Sequence, residues 1–254
     1  MLVLLPPSET KRDGGVEASP LDLDTLAFPS LTAHRRATIA ALARLSRTVG
    51  ESSRALHLGP TQRFEIDRNR ALKTAPTMPA IERYTGVLFD ALDAATLAPA
   101  ARTWLGGTVV IHSALFGLLG ADDPIPAYRL SHSTRLPGLA LAQHWRAPVS
   151  AVIADHRGLV LDLRSEAYEA MGPAPGSHYL RVVTDTGDGT KRALNHFNKR
   201  GKGELVRALA EDSLTVETLD ELVAWASGRG IRLEGSALER SAQGAPGREL
   251  FLVV

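Results

Sequence analysis

The sequence predicts a mixed α/β (α+β) fold built as one compact domain over residues 1–254. Short apolar segments typical of buried strands alternate with longer segments whose apolar residues recur at helical spacing. Late in the chain, a Gly- and Asp-rich segment separates two strand-like segments and predicts an antiparallel hairpin. No internal repeat and no linker divides the chain, so we expect one domain around a mixed sheet.

The first half of the chain is predicted to be mainly helical after one strand, because apolar residues recur every three or four positions. The predicted elements are, in order, a buried strand over 2–5, an irregular stretch over 12–29, a helix over 32–49, a short helix over 51–58, a further helix capped by Thr61, a loop leading into a helix within 79–92, and a strand over 108–112.

The second half predicts more strands, with β-rich segments on both sides of polar turns. The predicted elements are a helix over 139–153 with Trp145 in the core, a strand over 159–163, a helix that begins at Ser165, a strand over 179–184, a turn over 185–189, a returning strand over 192–197, helices over 203–210 and 216–227, and a terminal strand over 249–254.

Composition excludes several classes of protein. The chain is 44% hydrophobic and 22% charged, which is typical of an ordinary globular domain. It has no apolar run of about 18 residues, so we expect no contact with a membrane, and its first residues lack the basic leader of a secretory signal. Zero cysteines exclude disulfides and thiolate catalysis. We expect a cytoplasmic monomer.

The net charge of +1 hides an uneven distribution. Residues 33–74 contain nine Lys or Arg against three acids, and residues 191–207 contain six against Glu204 alone. If folding brings them together, the two stretches predict a surface for a polyanion. The alternative, which is the commoner case, is that both are solvated helix faces.

The first basic stretch also predicts a helix-hairpin-helix element, over about 33–74. Two short helices meet at Leu58-Gly59-Pro60, and such a turn lets backbone N–H groups at a helix N-terminus bind a phosphate. An ordinary helix pair has similar turn chemistry, so both interpretations stay open.

The segment Ser113–Leu130, SALFGLLGADDPIPAYRL, is the most specific in the chain. Two prolines restrict the backbone just before Tyr128-Arg129, so these side chains enter a fixed position. The guanidinium of Arg129 presents a planar set of donors suited to a carboxylate or phosphate.

Three other polar motifs follow predicted strands or precede predicted helices, where α/β folds place their sites. They are Ser8-Glu9-Thr10-Lys11, Tyr84-Thr85-Gly86 and Ser165-Glu166-Ala167-Tyr168. In the third, Glu166 is a candidate acid/base or partner for Arg129, and Tyr168 a hydrogen-bond donor. The alternative for the first two is a solvent loop, and for the third a helix N-terminus.

Lys199-Arg200-Gly201-Lys202-Gly203, followed by Arg207, predicts an anion-binding turn before a helix. It lacks the spacing of a Walker loop, and an exposed basic turn is an equal alternative. The eight histidines are scattered, so we expect no metal site, and no cofactor is implied.

Taken in order, these segments resemble the YaaA family of bacterial peroxide stress response proteins over nearly the whole chain. The resemblance rests on PPSETK, Tyr84-Thr85-Gly86, SALFGLLGADDPIPAYRL, the 165–168 element and KRGKGELVR. The chain departs from the family pattern at Glu9, where the family has lysine, and at His132-Ser133, Ala167 and Lys202-Gly203. The resemblance implies a cytoplasmic α/β protein with a basic cleft and a helix-hairpin-helix, which binds double-stranded DNA and limits iron-linked oxidative damage.

Two functions follow as hypotheses. The first is binding of double-stranded DNA through its backbone, by Arg44, Arg47, Arg54, Gly59, Arg63, Lys199, Arg200 and Lys202. The alternative is an enzyme acting on a small anionic ligand, with Glu166, Tyr128 and Tyr168 as candidate catalytic residues. Its predicted cleft comprises Ser8, Thr10, Lys11, Tyr84, Thr85, Gly86, Tyr128, Arg129, Ser165, Glu166, Tyr168, Lys199, Lys202, Gly203 and Arg207.

Overall fold

The structure, a computed structural model, describes residues 1–185, 191–193, 197–235 and 248–254. Its strands are β1 (Leu2–Leu5), β2 (Met78–Pro79), β3 (Val109–Ser113), β4 (Gly117–Gly120), β5 (Pro124–Ile125), β6 (Val160–Asp162), β7 (His178–Asp185), β8 (Lys191–Ala193), β9 (Arg232–Gly235) and β10 (Arg248–Val253). The mixed α/β class predicted from the sequence is confirmed.

Helices fill most of the sequence between these strands. They are α1 (Thr32–Leu45), α2 (Val49–Ala55), α3 (Phe64–Arg70), α4 (Ala80–Arg83), α5 (Val87–Leu92), α6 (Pro99–Thr108), α7 (Leu141–Ala154), α8 (Glu166–Ala170), α9 (Phe197–Glu211) and α10 (Leu219–Gly228). Short 3-10 turns occur at Pro29–Leu31, Pro60–Gln62 and Ala94–Thr96.

The main sheet has the strand order β4-β3-β1-β6-β7-β10-β9, with β8 paired to β7. Strands β3, β1, β6, β7 and β10 run parallel to their neighbours in this order, whereas β4, β8 and β9 are antiparallel additions. The carboxyl ends of β1, β3 and β6 therefore meet at one edge. Because the chain passes from β1 to β3 on one side and later to β6 on the other, this edge is also a topological switch point, where α/β sheets bind ligands.

Central strands are apolar because they are covered on both faces. Val3, Leu4 and Leu5 of β1 are fully buried, and all five residues of β3 are buried. Trp145 of α7 is also fully buried, as predicted, and donates from Nε1 to the backbone oxygen of Ala114 at 2.9 Å. Its ring lies where a side chain at Gly117 would project, since a Cβ there would meet it at 2.6 Å. The SALFG motif is thus shaped by packing against Trp145.

Two local predictions are wrong. Thr61 caps no helix, because it lies inside the 3-10 turn Pro60–Gln62 and α3 begins only at Phe64. The Lys199–Gly203 segment is not a turn before a helix, because α9 already begins at Phe197. The antiparallel partner predicted after β7 is present as β8, while most of the predicted turn, 186–189, lies outside the described residues.

Candidate functional site

The loop after β1 and the Tyr84-Thr85-Gly86 segment lie together beyond the carboxyl end of β1. Lys11 and Tyr84 form an isolated antiparallel bridge, and the Oγ1 atoms of Thr10 and Thr85 are 3.1 Å apart. Gly86 has φ of +103°, and a Cβ there would lie 3.3 Å from the Ser8 hydroxyl. The structure therefore brings two motifs separated by more than 70 residues into direct contact.

A chain of three buried hydroxyl groups lies beneath this loop. The hydroxyl groups of Tyr84 and Tyr128 are 2.7 Å apart, and that of Tyr128 is 2.7 Å from Ser113 Oγ. Ser113 ends β3, and its Oγ also accepts from the backbone N–H groups of Leu115 and Phe116. Burial raises the pKa of Tyr128 to about 12 and that of Tyr84 well above its usual value. Both phenols are therefore neutral at physiological pH and act as hydrogen-bond groups.

Lys11 lies over these two tyrosines and is only 6% exposed. Its Nζ donates to the backbone oxygens of Ser8 at 2.9 Å and Glu9 at 3.1 Å, and lies 4.1 Å from the centre of the Tyr128 ring. Burial lowers the Lys11 pKa to about 7; among the smaller effects, the Glu65 carboxylate raises this pKa and the Arg129 guanidinium lowers it further. The ammonium is stabilised by dipoles and an aromatic face rather than by a contacting carboxylate, so a neutral amine is within reach at pH 7.

Arg129 is fixed at both ends. Its backbone N–H and oxygen bond the side-chain amide of Asn69 at 2.8 and 2.9 Å, and its Nη2 bonds Glu9 Oε2 at 2.5 Å. The predicted partner, Glu166, is wrong, because that carboxylate bonds Arg181 instead at 2.9 Å. Sequence reasoning missed the pairing because Glu9 and Arg129 are 120 residues apart.

The site is supported from below by a buried ion pair at the end of β6. Arg164 and Asp162 are at most 1% exposed at their side chains and bond at 2.6 Å. Arg164 Nη1 also donates to Nδ1 of His112 at 3.0 Å and to the backbone oxygen of Gly172 at 2.8 Å. Because His112 accepts at Nδ1, its proton is on Nε2, and burial keeps its pKa well below the usual value. His112 is therefore a neutral histidine of the core.

The 165–168 element is split by the fold. Tyr168 is buried, and its ring lies 5.4 Å from each of the rings of His112 and His132. Ser165 precedes α8 in the cap position but makes no side-chain capping hydrogen bond. Glu166 faces outward, with 74% of its side chain exposed, and pairs with Arg181. Of this element, Tyr168 therefore approaches the loop after β1. Burial raises the pKa of Tyr168, and the nearby Tyr128 and Glu9 raise it further.

The KRGKG segment divides in the same way because it lies on one helix. Lys199 and Arg200 are exposed, and Arg200 pairs with Glu204 one turn later at 2.7 Å. Lys202 is only 5% exposed, and its Nζ donates at 2.9 Å to the backbone oxygen of Leu163, just after β6. Burial lowers the Lys202 pKa to about 8. Of the three cations, only Lys202 reaches the strand-end edge.

The glycines and arginine of this segment serve packing. A Cβ at Gly203 would lie 2.2 Å from the backbone oxygen of Leu88, so glycine allows α9 to approach α5 closely. Arg207 lies one turn further along and donates to the backbone oxygens of Leu92 and Asp93 at 3.0 and 3.2 Å. Gly203 and Arg207, both predicted for the ligand cleft, join α9 to α5 and the turn after it.

A different basic surface is formed by α1, α2 and the segment after Leu130. A groove of about 850 Å³ separates them, and Arg54, His57 and Arg135 lie along it, with Glu51 as the one acid among the described residues of its lining. Arg44 reaches the same edge and donates to the backbone oxygen of Pro137 at 3.3 Å. We call this surface the arginine groove.

Arg47 and Arg63, which were also predicted for DNA binding, are exposed on the same group of helices. Arg35 is different, although it belongs to the same basic stretch. It is fully buried and donates to the backbone oxygens of Phe116 at 2.9 Å and Leu118 at 2.6 Å. The backbone N–H of Gly59 donates to Gln62 Oε1 at 3.0 Å. The donor that was predicted to bind a phosphate is therefore already used.

Several residues of both regions were missed from the sequence. We call the group formed by Lys11, Tyr84, Tyr128 and Arg129, beyond the carboxyl ends of β1 and β3, the strand-end site. The missed residues within or below it are Asn69, Ser113, Asp162 and Arg164, and Arg135 was missed in the arginine groove. A signal existed for Ser113, which begins the SALFG motif, and for Asp162, which ends a strand. Asn69 and Arg135 stand in ordinary polar segments without such a signal.

The chain is similar to known proteins over most of its length. The family described as peroxide stress protein YaaA matches residues 1–233. A UPF0246 protein of Corynebacterium efficiens is 44% identical over 239 residues, covering 92% of this chain and 95% of the relative. A UPF0246 protein of Streptomyces coelicolor is 41% identical over 243 residues, covering 93% of each chain.

Two features are absent from the described residues, a membrane-spanning helix and a cluster of metal ligands. None of the helices in 1–185, 197–235 and the other described segments is long and apolar enough to cross a membrane. Across the same segments, no three His, Asp or Glu side chains are gathered in a way that would hold a metal ion.

From the match over residues 1–233 and the relatives above 40% identity, the chain belongs to the peroxide stress protein YaaA family.

Proposed function

We propose that the protein binds double-stranded DNA through its sugar–phosphate backbone in the cytoplasm. Its role would be to limit oxidative damage to DNA when hydrogen peroxide meets intracellular iron. Membership of a peroxide stress family supports the stress-related part of this role. The observation that carries the DNA part is the arginine groove.

The arginine groove has the properties that phosphate binding needs. Arg44, Arg54 and Arg135 are exposed, so their guanidinium groups can exchange water and counterions for phosphate oxygens. In the described part of the chain, Glu51 is the one carboxylate that opposes them along the groove lining. Such contacts give affinity without reading bases, and they weaken steeply as salt concentration rises.

The helix-hairpin-helix contact would act differently here from the simplest form of that motif. Gly59 N–H, the predicted phosphate donor, already donates to Gln62 Oε1. A phosphate at this position would therefore have to displace the Gln62 side chain. The proposal consequently rests on the arginine side chains, with Gly59 as a secondary contact.

The test is duplex binding over a salt series, measured by fluorescence anisotropy on a labelled mixed-sequence duplex. Replacing Arg54 and Arg135 together by Gln should weaken binding and lower the slope of log affinity against log salt by about 1.8, because each lost phosphate contact lowers it by about 0.9. A matched control replaces Arg36 and Arg157 by Gln, the same loss of charge at two exposed arginines outside the groove lining and outside the predicted DNA-binding residues. Equal effects of the two pairs would contradict a specific role for the groove.

A second candidate function is an enzyme acting on a small anionic ligand at the strand-end site. It is favoured by the convergence of Lys11, Tyr84, Tyr128 and Arg129 beyond the carboxyl ends of β1 and β3. Glu166, one of the candidate catalytic residues, points away from this cluster and pairs with Arg181. The proton-handling groups left at the site are Lys11 and the tyrosines, of which Lys11 alone has a pKa near 7. Turnover of a small anionic substrate that is lost in Lys11→Met but kept in Lys73→Met would support this second function.

A further inference from the structure

Arg129 is held in a fixed position, although its guanidinium pairs with a single carboxylate among the described residues. Asn69 bonds both its backbone N–H and its backbone oxygen, and the residue as a whole is 9% exposed. Within the described residues, the side-chain hydrogen bonds of Arg129 go to Glu9 alone, through Nη2. Most of its five N–H donors thus remain available for another acceptor.

Glu9, in contrast, is held loosely. Its side chain is 60% exposed, against 11% for Arg129, and of its two neighbours Thr10 is exposed and Ser8 half-buried. Moving the Glu9 carboxylate into water would break one ion pair and leave no buried group of its own unsatisfied. An ion pair with one exposed partner contributes little to stability, so an incoming anion can replace it.

Other hydrogen-bond donors lie around this pair. Ser8 and Thr10 flank Glu9 in sequence, and the Thr10 hydroxyl is 3.1 Å from that of Thr85. Lys11, two residues on, is close enough to Arg129 and Glu9 for both charges to influence its pKa. The three hydroxyl groups bond one another and the backbone oxygen of Thr85, and Lys11 bonds two backbone oxygens, so an incoming anion would gain these donors by exchange. The guanidinium of Arg129 is the group with donors to spare.

We propose that Arg129 binds the phosphate group of a small phosphorylated ligand, and that the Glu9 carboxylate occupies the guanidinium when no ligand is bound. The phosphate displaces Glu9, bonds the guanidinium fork and receives further hydrogen bonds from the loop after β1. This inference rests on the second candidate function and names its ligand class and its built-in competitor. It requires no change in the arginine groove.

The experiment titrates inorganic phosphate into the full chain at constant ionic strength and neutral pH, followed by ³¹P NMR. Glu9→Gln should bind phosphate about two- to fivefold more tightly than the unmodified protein, because the competing charge is gone. Glu17→Gln is the matched control, since Glu17 is an exposed carboxylate of the same irregular segment. Equal effects of the two variants would overturn the proposed role of Glu9.

Arg129→Lys tests the anchor while keeping the positive charge. It should weaken phosphate binding about tenfold, because a lysine lacks the fork. Thermal melting of this variant, checked by circular dichroism, shows whether it is folded. A folded Arg129→Lys that binds phosphate as well as the unmodified protein would overturn the assignment of the site.

Two further titrations define the ligand. Acetate should bind more weakly than phosphate, and equal binding would overturn the phosphate class in favour of a simple carboxylate. A nucleoside monophosphate should compete with phosphate and gain from Glu9→Gln, whereas a duplex without terminal phosphates should not. A Glu9→Gln gain confined to the duplex would assign Arg129 to DNA and overturn a small ligand. Failure of the groove variants to alter duplex binding would leave these results unaffected.

Discussion

The strand-end site and the arginine groove contain the same kinds of residue, yet they hold their cations in opposite ways. Lys11, Arg129, Arg164 and Lys202 at the strand ends are at most 9% exposed and are held by backbone oxygens or single carboxylates. The groove arginines are exposed. Buried cations lose hydration, which lowers the pKa of Lys11 and of Lys202, whereas exposed cations exchange partners readily. The first arrangement suits a small ligand and the second a long polyanion.

Buried and exposed arginines should differ most in how much their removal lowers stability. Arg164→Met leaves Asp162 as an uncompensated buried charge and should lower the free energy of unfolding by about 3–5 kcal/mol in urea denaturation. Arg200→Met, which breaks the exposed pair with Glu204, should cost about 0.3–0.5 kcal/mol. Similar losses in the two variants would contradict the contrast drawn between buried and exposed cations.

Lys11 should make stability depend on pH in a defined direction. Its pKa falls from an unfolded value of 10.5 to about 7, so between these values the unfolded chain binds more protons and stability rises with pH. Below about pH 7 the destabilisation is fully present. Lys11→Met removes this destabilisation. The gain in free energy of unfolding over the unmodified protein should therefore be about 3 kcal/mol larger at pH 7 than at pH 10.

The control for this experiment is Lys73→Met, because Lys73 is an exposed lysine. Its effect on unfolding should be the same at both pH values. A Lys11→Met difference that also stays flat between pH 7 and pH 10 would show that Lys11 is charged like an ordinary surface lysine.

The Lys199–Gly203 segment contains two glycines, which suggest an anion-binding loop. The packing of Gly203 against α5 indicates a helix contact instead. Gly203→Ala should cost about 1–3 kcal/mol, because the Cβ would overlap the backbone oxygen of Leu88. Gly228→Ala in α10 has nothing within 4 Å of its Cβ and should be neutral or gain up to about 1 kcal/mol. A neutral Gly203→Ala with altered ligand binding would restore the anion-loop interpretation.

Much of the fold was predictable because it depends on local apolar patterning. β1, β3, α7 and the burial of Trp145 follow from runs and periodicities that a short window contains. The helix at 197–211 was only partly predicted, because two glycines in its first two turns disfavour a helix locally, and the close approach to Leu88 that requires Gly203 comes from tertiary packing.

The site was predicted by residue type more than by arrangement. Lys11, Tyr84, Tyr128 and Arg129 were identified from strand ends and a proline-restricted loop. Their partners were not, because contacts such as Glu9 with Arg129 join distant parts of the chain. Burial was also invisible, so Lys202 was grouped with Lys199 although their environments differ.

The salt dependence of duplex binding in two single variants shows whether the strand-end site and the arginine groove serve different ligands. Arg54→Gln and Arg129→Gln each remove one positive charge. We expect Arg54→Gln to lower the salt slope by about 0.9, and Arg129→Gln, once shown to be folded, to leave it unchanged. A slope that falls with Arg129→Gln and not with Arg54→Gln would place DNA at the strand ends and remove it from the arginine groove.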